Sequence, residues 1–177
     1  PGLSTSVVMN GIDWREGDRE FSEGSPAGPT RLGPATINLL YVGANLYGGK
    51  RDPGVVFAAV AASGLGPEDV LFHFLGTDEA RVGQLAAEHG VQGHVRFHPP
   101  VSHSVVHGWM RSADLLLLLL WDDPADVGTY SGKLFEYLSA RRPVLVVGPE
   151  GGVAADLVRD RRLGYAATGC RQVARLL

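Results

Sequence analysis

From Ile37 onward the chain alternates two kinds of segment, short runs that are mostly apolar and longer stretches in which apolar residues return at helical spacing. The runs are INLLYVG, VLFHFLG, HVRFHPPV, ADLLLLLLW, PVLVVG and LGYAA. They read as strands buried on both faces, because a half-solvated strand would alternate polar and apolar positions. Between them, DPGVVFAAVAAS predicts a helix with Asp52 as N-cap and Pro53 in its first turn, and TDEARVGQLAAEHG predicts one capped by Thr77 and stopped by Gly90. Further helices are expected near Ser102 to Ser112, over Gly132 to Ala140 and over GGVAADLVRD. CRQVARLL begins a last helix where the sequence stops.

Doubly buried strands alternating with helices predict a parallel sheet covered on both sides, that is, a doubly wound, Rossmann-like α/β domain over residues 37–177, truncated in its C-terminal helix. Such sheets bind ligands at the carboxyl ends of their strands. Upstream, SVVMNGI reads as a short strand ending in an Asn-Gly turn, and residues 13–36 are charged, rich in Gly and Pro and without period. Residues 1–36 are therefore expected to be a crossover strand and linker. The chain starts at Pro1 and stops within a helix, so both ends are expected to be open.

Composition narrows the partners. A length of 177 residues suits one core, and a net charge of -3 with a pI near 6.1 gives no general attraction to nucleic acid or to an anionic membrane. Any bound anion must be held locally. One cysteine, Cys170, excludes an internal disulfide and a CxxC zinc site. The longest apolar run, Ala113 to Trp121, falls far short of the roughly 20 residues of a membrane span. No secretory pattern is visible at the start, and a cytoplasmic location is the expectation. Of the 16 basic residues only Lys50 and Lys133 are lysines, and each follows a glycine in a glycine-rich turn, a pattern suited to compact point charges.

GANLYGGKR and VGTYSGKL each approach a phosphate-binding loop, but Arg51 and Leu134 stand where that loop needs a hydroxyl on the metal. No GxGxxG follows the first strand and no GxSxG occurs. What remains still suits a diphosphate. Thr129 to Lys133 open a helix after a buried strand, so free backbone N–H groups and the positive helix end converge there. Thr129 and Ser131 add hydroxyls and Lys133 adds charge. Glu136, one turn further in, suits the two hydroxyls of a ribose; the plainer reading is a Ser-capped helix with an acid near its start.

In this order, VVMNGID, YVGANLYGGKRDP, VRFHPPVSHSVVHGWMRSADLLLLL and SGKLFEYLSARRPVLVVGPEGG resemble the C-terminal, donor-binding domain of retaining GT-B glycosyltransferases, over almost the whole chain. The resemblance implies a nucleoside diphosphate sugar as donor substrate, sugar transfer with retention, and no required cofactor or metal. It implies that the diphosphate lies against Lys50 or Arg51, next to Gly43 and the turn Thr129, Tyr130, Ser131, Gly132 and Lys133. Glu136 would take the ribose, His98, Pro99 and Val101 the base, and Gly148 to Gly152 the rim of the cleft. The mechanism implied is electrostatic, with Lys50 and Arg51 stabilising the leaving diphosphate and the donor phosphate helping to deprotonate the acceptor. Acceptor contacts belong to an N-terminal domain absent from this chain, which is also where any peripheral membrane contact is expected. The chain alone is expected to bind donor without turnover. Two departures stand out: Ala44 follows Gly43 where the family commonly has arginine, and Gly128 occupies the first position of its E-x7-E pattern, for which Asp123 or Asp126 are the nearby substitutes.

Three other readings stay open. His103 and His107 have metal-ligand spacing, but HxxxH lacks the glutamate of a zinc protease and no third ligand is evident. A sugar-nucleotide epimerase of the same fold would need acid and base groups that cannot be identified here. A noncatalytic nucleotide-sugar binding module needs only the donor site. Trp109 and Tyr137 read as core residues, and Arg141 and Arg142 as cations at a helix C-terminus.

Overall fold

The structure, a computed structural model, describes residues 28–44, Leu46 and residues 50–177. The expected strand over SVVMNGI, most of the linker and Gly49 lie outside the described residues.

Six strands form one parallel sheet: β1 (Ile37–Val42), β2 (Val70–Leu75), β3 (Val95–His98), β4 (Leu115–Leu119), β5 (Val144–Val147) and β6 (Gly164–Ala167). Between and after them run α1 (Gly54–Ser63), α2 (Glu79–Glu88), α3 (His103–Ser112), α4 (Gly132–Ser139), α5 (Val153–Asp160) and α6 (Cys170–Ala174). The spatial order is β3-β2-β1-β4-β5-β6, so the chain winds outward from β1 in one direction and then from β4 in the other. The direction reverses between β1 and β4, and a ligand crevice is expected above that point.

Alternation along the strands divides the core into two layers. Leu39, Tyr41, Phe72 and Phe74 face one way and pack with Phe57 of α1 and Val82 of α2. Leu40, Leu116, Leu118 and Val146 face the other and pack with Met110 of α3, Tyr137 of α4 and Val158 of α5. Each such fully buried side chain contributes ~1.5–3 kcal/mol. The edge-on contacts of Phe57 with Phe72 and Phe74, at 5.7 and 6.1 Å between ring centroids, add directional packing.

The helix starts differ from expectation in two places. At α1 the N-cap is Pro53, without a side-chain cap bond, and Asp52 stands one residue earlier, its Oδ1 accepting the Gly54 N–H at 2.8 Å. At α2, however, Asp78 is the N-cap, accepting the Arg81 N–H at 3.2 Å, and Thr77 is released for a bond to Gly43 O at 2.7 Å. Asp78 stands one residue nearer the helix, and Asp is the better cap of the two. Two short 3₁₀ turns, Gln92–His94 and Pro124–Asp126, carried no periodic signal in the sequence. The described part of the expected linker, 28–36, forms no helix or strand but is tied to the domain: Ala35 is fully buried, Leu32 packs on the second layer, and the Thr36 N–H bonds Glu68 O at 3.0 Å. Among the described residues no helix is long and apolar enough to cross a membrane.

Candidate functional site

The crevice follows from the register. β1 pairs with β2 over six positions, Ile37↔Val70 through Val42↔Leu75, but with β4 only at Leu39↔Leu115 and Leu40↔Leu116. In a parallel strand alternate peptides face alternate neighbours. Ile37 and Gly43 donate toward the β2 side, to Asp69 O and Leu75 O, while Asn38 exchanges bonds with Asp114 on the β4 side. Val42 also faces β4, yet β4 has diverged, so its N–H and C=O would be orphaned. Helix α4 supplies both partners: the Val42 N–H donates to the Tyr137 hydroxyl oxygen at 3.0 Å, and the Lys133 ammonium donates to Val42 O. Lys133 and Tyr137 are one helical turn apart, which puts them on one face. The start of α4 is thereby pinned over the end of β1.

Lys133 is half-buried and its Nζ lies 4.4 Å from the Tyr41 ring centroid. Burial, with the nearby Arg51 guanidinium adding repulsion and Glu136 partly opposing, lowers its pKa from the ordinary 10.5 to about 8. Gly43 makes the approach possible: its φ is +135°, and a Cβ built there would collide with Lys133 Nζ. Lys50 sits apart from this pair. Its Nζ lies 3.8 Å over the Trp121 ring, in a pocket of about 220 Å³ shared with Asp52, Leu119 and Gly148. Of the two cations expected at the diphosphate, Arg51 is thus coupled to Lys133, while Lys50 stands over the end of β4.

The turn before α4 is open. Ser131 is the N-cap, is buried, and makes no side-chain cap bond, which leaves the first amides of α4 without a side-chain acceptor from the cap. A Cβ on Gly132 or Gly128 would meet nothing within 4 Å. Thr129 donates to Asp126 Oδ1 at 2.6 Å and Tyr130 packs on Phe135 at 6.1 Å, contacts that shape the turn. The loop after β5 steadies it from behind through Val153 N–H to Val127 O at 2.8 Å. Glu136 is exposed and near enough to Lys133 to be felt electrostatically. Of the proposed substitutes for an acid at 128, Asp126 holds Thr129 and Asp123 caps the Ala125 N–H at 2.8 Å.

His98 ends β3 and borders a second pocket, of about 310 Å³, with Thr77, Phe97 and Pro100. Val101 packs on the second core layer and is absent from that lining, which includes Pro99. Behind His98 lies a chain of polar groups. Asn38 Nδ2 donates to Asp114 Oδ2 at 3.0 Å and to Ala35 O at 2.9 Å, which leaves its Oδ1 to accept from His73 Nε2 at 3.2 Å. His73 Nδ1 lies 2.9 Å from His98 Nε2, with the rings stacked 5.2 Å apart. His73 is fully buried, and burial together with His98 and Arg96 lowers its pKa from 6.5 to about 4, so it is neutral near pH 7. Neutral His73 donating through Nε2 must accept through Nδ1, so His98 carries its proton on Nε2. Burial lowers the His98 pKa as well.

Two other histidines tie elements together. His107 Nε2 is 2.9 Å from Ser139 Oγ, joining α3 to α4, and His94 Nδ1 is 2.9 Å from Val70 O. Among the described residues, no group of three or more His, Cys, Asp or Glu side chains converges as a metal site. Thr77, Tyr137, Trp121 and the His73–Asn38–Asp114 chain were not among the expected site residues. A hydroxyl after a strand-ending glycine, and an aromatic four residues beyond the lysine, are the signals that could have pointed to the first two.

No family model matches the sequence, and neither does any curated protein. Solved structures do. WaaG, a glycosyltransferase involved in lipopolysaccharide biosynthesis, matches at 20% identity and TM-score 0.58, over 92% of this chain and 39% of its own. An E. coli trehalose-6-phosphate structure bound with UDP-2-fluoro glucose matches at 15% identity and TM-score 0.60, over 94% and 41%. The C-terminal domain of the glycosyl transferase group 1 family protein LpcC from Francisella tularensis matches at 13% identity and TM-score 0.57, over 80% and 73%. The chain thus spans about two fifths of the length of the first two. At these identities the likeness is one of fold: the chain has the fold of a C-terminal-like domain of GT-B glycosyltransferases.

Proposed function

We propose that this chain is the donor-binding part of a glycosyltransferase and holds a nucleoside diphosphate sugar above the β1–β4 divergence. The observation that carries the reading is the juxtaposition of Lys133, Arg51 and the open start of α4 at the point where the sheet's winding reverses. The neighbours named above include glycosyltransferases and one structure bound with a UDP-sugar analogue, which supports the class of ligand. In this reading the diphosphate lies on the first amides of α4, the ribose on Glu136, and the base toward His98. Transfer breaks the bond between the sugar's anomeric carbon and the diphosphate oxygen and forms one to an acceptor hydroxyl on the same face. The acceptor proton passes to the donor phosphate, and the nucleoside diphosphate leaves. Lys133, Arg51 and the helix start stabilise the charge that develops on the leaving group without a metal.

Binding without transfer is the second reading, favoured by Gly128, whose empty surroundings hold no acid where one is expected to face the sugar. Calorimetric titration of the chain with UDP, GDP and ADP in the presence of a chelator tests the donor site. One nucleotide is expected to bind saturably, and Glu136→Ala to weaken it about tenfold through loss of a charged hydrogen bond. Failure of all three to bind the folded chain, or indifference to Glu136→Ala, overturns the assignment. Sugar transfer to added acceptors, assayed once an acceptor-binding domain is supplied, separates an enzyme from a binding module.

A further inference from the structure

A further pocket lies at the other end of the strands from the crevice. It is an open basin of about 770 Å³, formed where the turns after α4 and α5 enter β5 and β6 at their amino ends. Its lining includes Arg141, Arg142, Arg159 and Arg162 and no carboxylate, with Tyr165 and Leu176 as apolar wall. Tyr165 exposes a large side chain, at 49%.

General basicity does not explain this. Up to residue 140 the chain has nine basic and sixteen acidic residues; after it come seven arginines against Glu150, Asp156 and Asp160. The positive charge is concentrated in the last part of a sequence that is acidic before it. Guanidinium groups of the basin are also held in place. Arg142 Nε donates to Arg111 O at 2.7 Å, and Arg159 reaches Asp156 Oδ1 at 3.4 Å and Ala166 O at 3.5 Å.

The backbone supplies an independent observation. Helices α1 and α2 end on left-handed glycines, Gly64 (φ +74°) and Gly90 (φ +69°). Helices α4 and α5 reach the same left-handed turn with Arg141 (φ +54°) and Arg162 (φ +55°), the only non-glycine residues at positive φ among the described residues. At α5 the turn is fully bonded, Arg162 N–H to Arg159 O at 3.1 Å and Leu163 N–H to Val158 O at 2.9 Å, as a glycine-terminated helix would be. Glycine would therefore serve the fold better at both positions. Both strained arginines line the same basin, and strain of this kind concentrates where a side chain is needed for something other than folding.

We propose that this basin is a binding site for a phosphate-bearing ligand with an apolar or ring-shaped body, separate from the donor crevice and at the amino ends of β5 and β6. Several guanidinium forks suit a group with three accepting oxygens and more than one negative charge, and Tyr165, Leu138 and Leu176 suit the body attached to it. The phosphate could belong to a lipid headgroup or to a soluble phosphate ester, and the test separates these sources.

Amide NMR of the chain is followed during titration with inorganic phosphate and with glycerol phosphate. In parallel, the chain is sedimented with phosphatidylcholine vesicles with and without phosphatidylglycerol. Saturable shifts centred on Gly164, Tyr165 and Ala166 assign a soluble ester, whereas sedimentation only with phosphatidylglycerol assigns a headgroup. Arg141→Gly with Arg162→Gly removes two charges while easing the backbone, so the variant is expected to be at least as heat-stable as the parent and to bind about tenfold more weakly or worse. Absence of both kinds of binding, shifts confined to Gly43 and the start of α4, or binding unchanged in the double variant overturns the proposal.

Discussion

Val42 and Tyr137, 95 residues apart in sequence, are joined by the Val42 N–H donating to the Tyr137 hydroxyl oxygen at 3.0 Å. Lys133 takes the carbonyl of the same residue. One peptide that the sheet leaves unpaired is thus satisfied by two side chains of one helix, and α4 is fixed over the crevice by backbone accounting rather than by sequence-local forces.

Tyr137→Phe tests this directly. The ring still fills its fully buried site, but the Val42 N–H loses its acceptor, and the expected loss is about 1–3 kcal/mol in urea unfolding. An unchanged midpoint would mean that the peptide finds another partner and that the clasp does not position α4.

Two glycines of the crevice are expected to behave in opposite ways. Gly43→Ala places a Cβ against Lys133 Nζ at a φ of +135° and should cost about 1–3 kcal/mol while weakening nucleotide binding. Gly128→Ala meets nothing within 4 Å and should change stability by no more than about 0.5 kcal/mol. Equal effects in a thermal melt would contradict the close approach of Lys133 to the end of β1.

His73 gives the fold an acid-sensitive element. Its folded pKa of about 4 lies below the ordinary 6.5, so below pH 6.5 the unfolded chain binds the proton first. The contribution is complete above pH 6.5 and is lost as pH falls toward 4, amounting to about 3 kcal/mol across that window. Measured as the difference between the parent and His73→Phe, stability should therefore converge on acidification. Nitrogen shifts of the imidazoles should show His98 protonated on Nε2 at neutral pH; an Nδ1-protonated His98 would break the chain drawn from Asp114 through Asn38.

The six strands, their parallel arrangement and the helices between them were legible because each strand is apolar on both faces and each helix keeps its spacing. The helix start at Ser131 and Lys133 was legible too, although the 3₁₀ turn between it and β4 was not. What the sequence could not convey was partnership across the sheet. That Thr77 would serve Gly43 O and leave the cap to Asp78 depends on β1 and β2 ending side by side, in register from Ile37↔Val70 to Val42↔Leu75. That Val101, read as a base contact, also packs against the second core layer was likewise out of reach of the local pattern. Arg141 read as an ordinary helix-end cation, because a left-handed φ leaves no trace in residue type when the residue is not glycine.

The last prediction concerns the proton on Lys133. With a folded pKa of about 8 against 10.5, the folded chain gives up this proton before the unfolded one, so between those values the unfolded state binds more protons. The lysine's contribution to stability therefore rises as pH increases from 8 to 10.5, and the difference between the parent and Lys133→Met should grow in that direction. A diphosphate at the start of α4 reverses the balance, because an adjacent anion favours the ammonium. Binding at pH 8 should then draw in about half a proton per site. Calorimetry in two buffers of different ionisation enthalpy measures that uptake, and Lys133→Met should abolish it. Nucleotide binding with no proton uptake in the parent would separate the phosphates from Lys133 and leave Arg51 and Lys50 as the cations that face them.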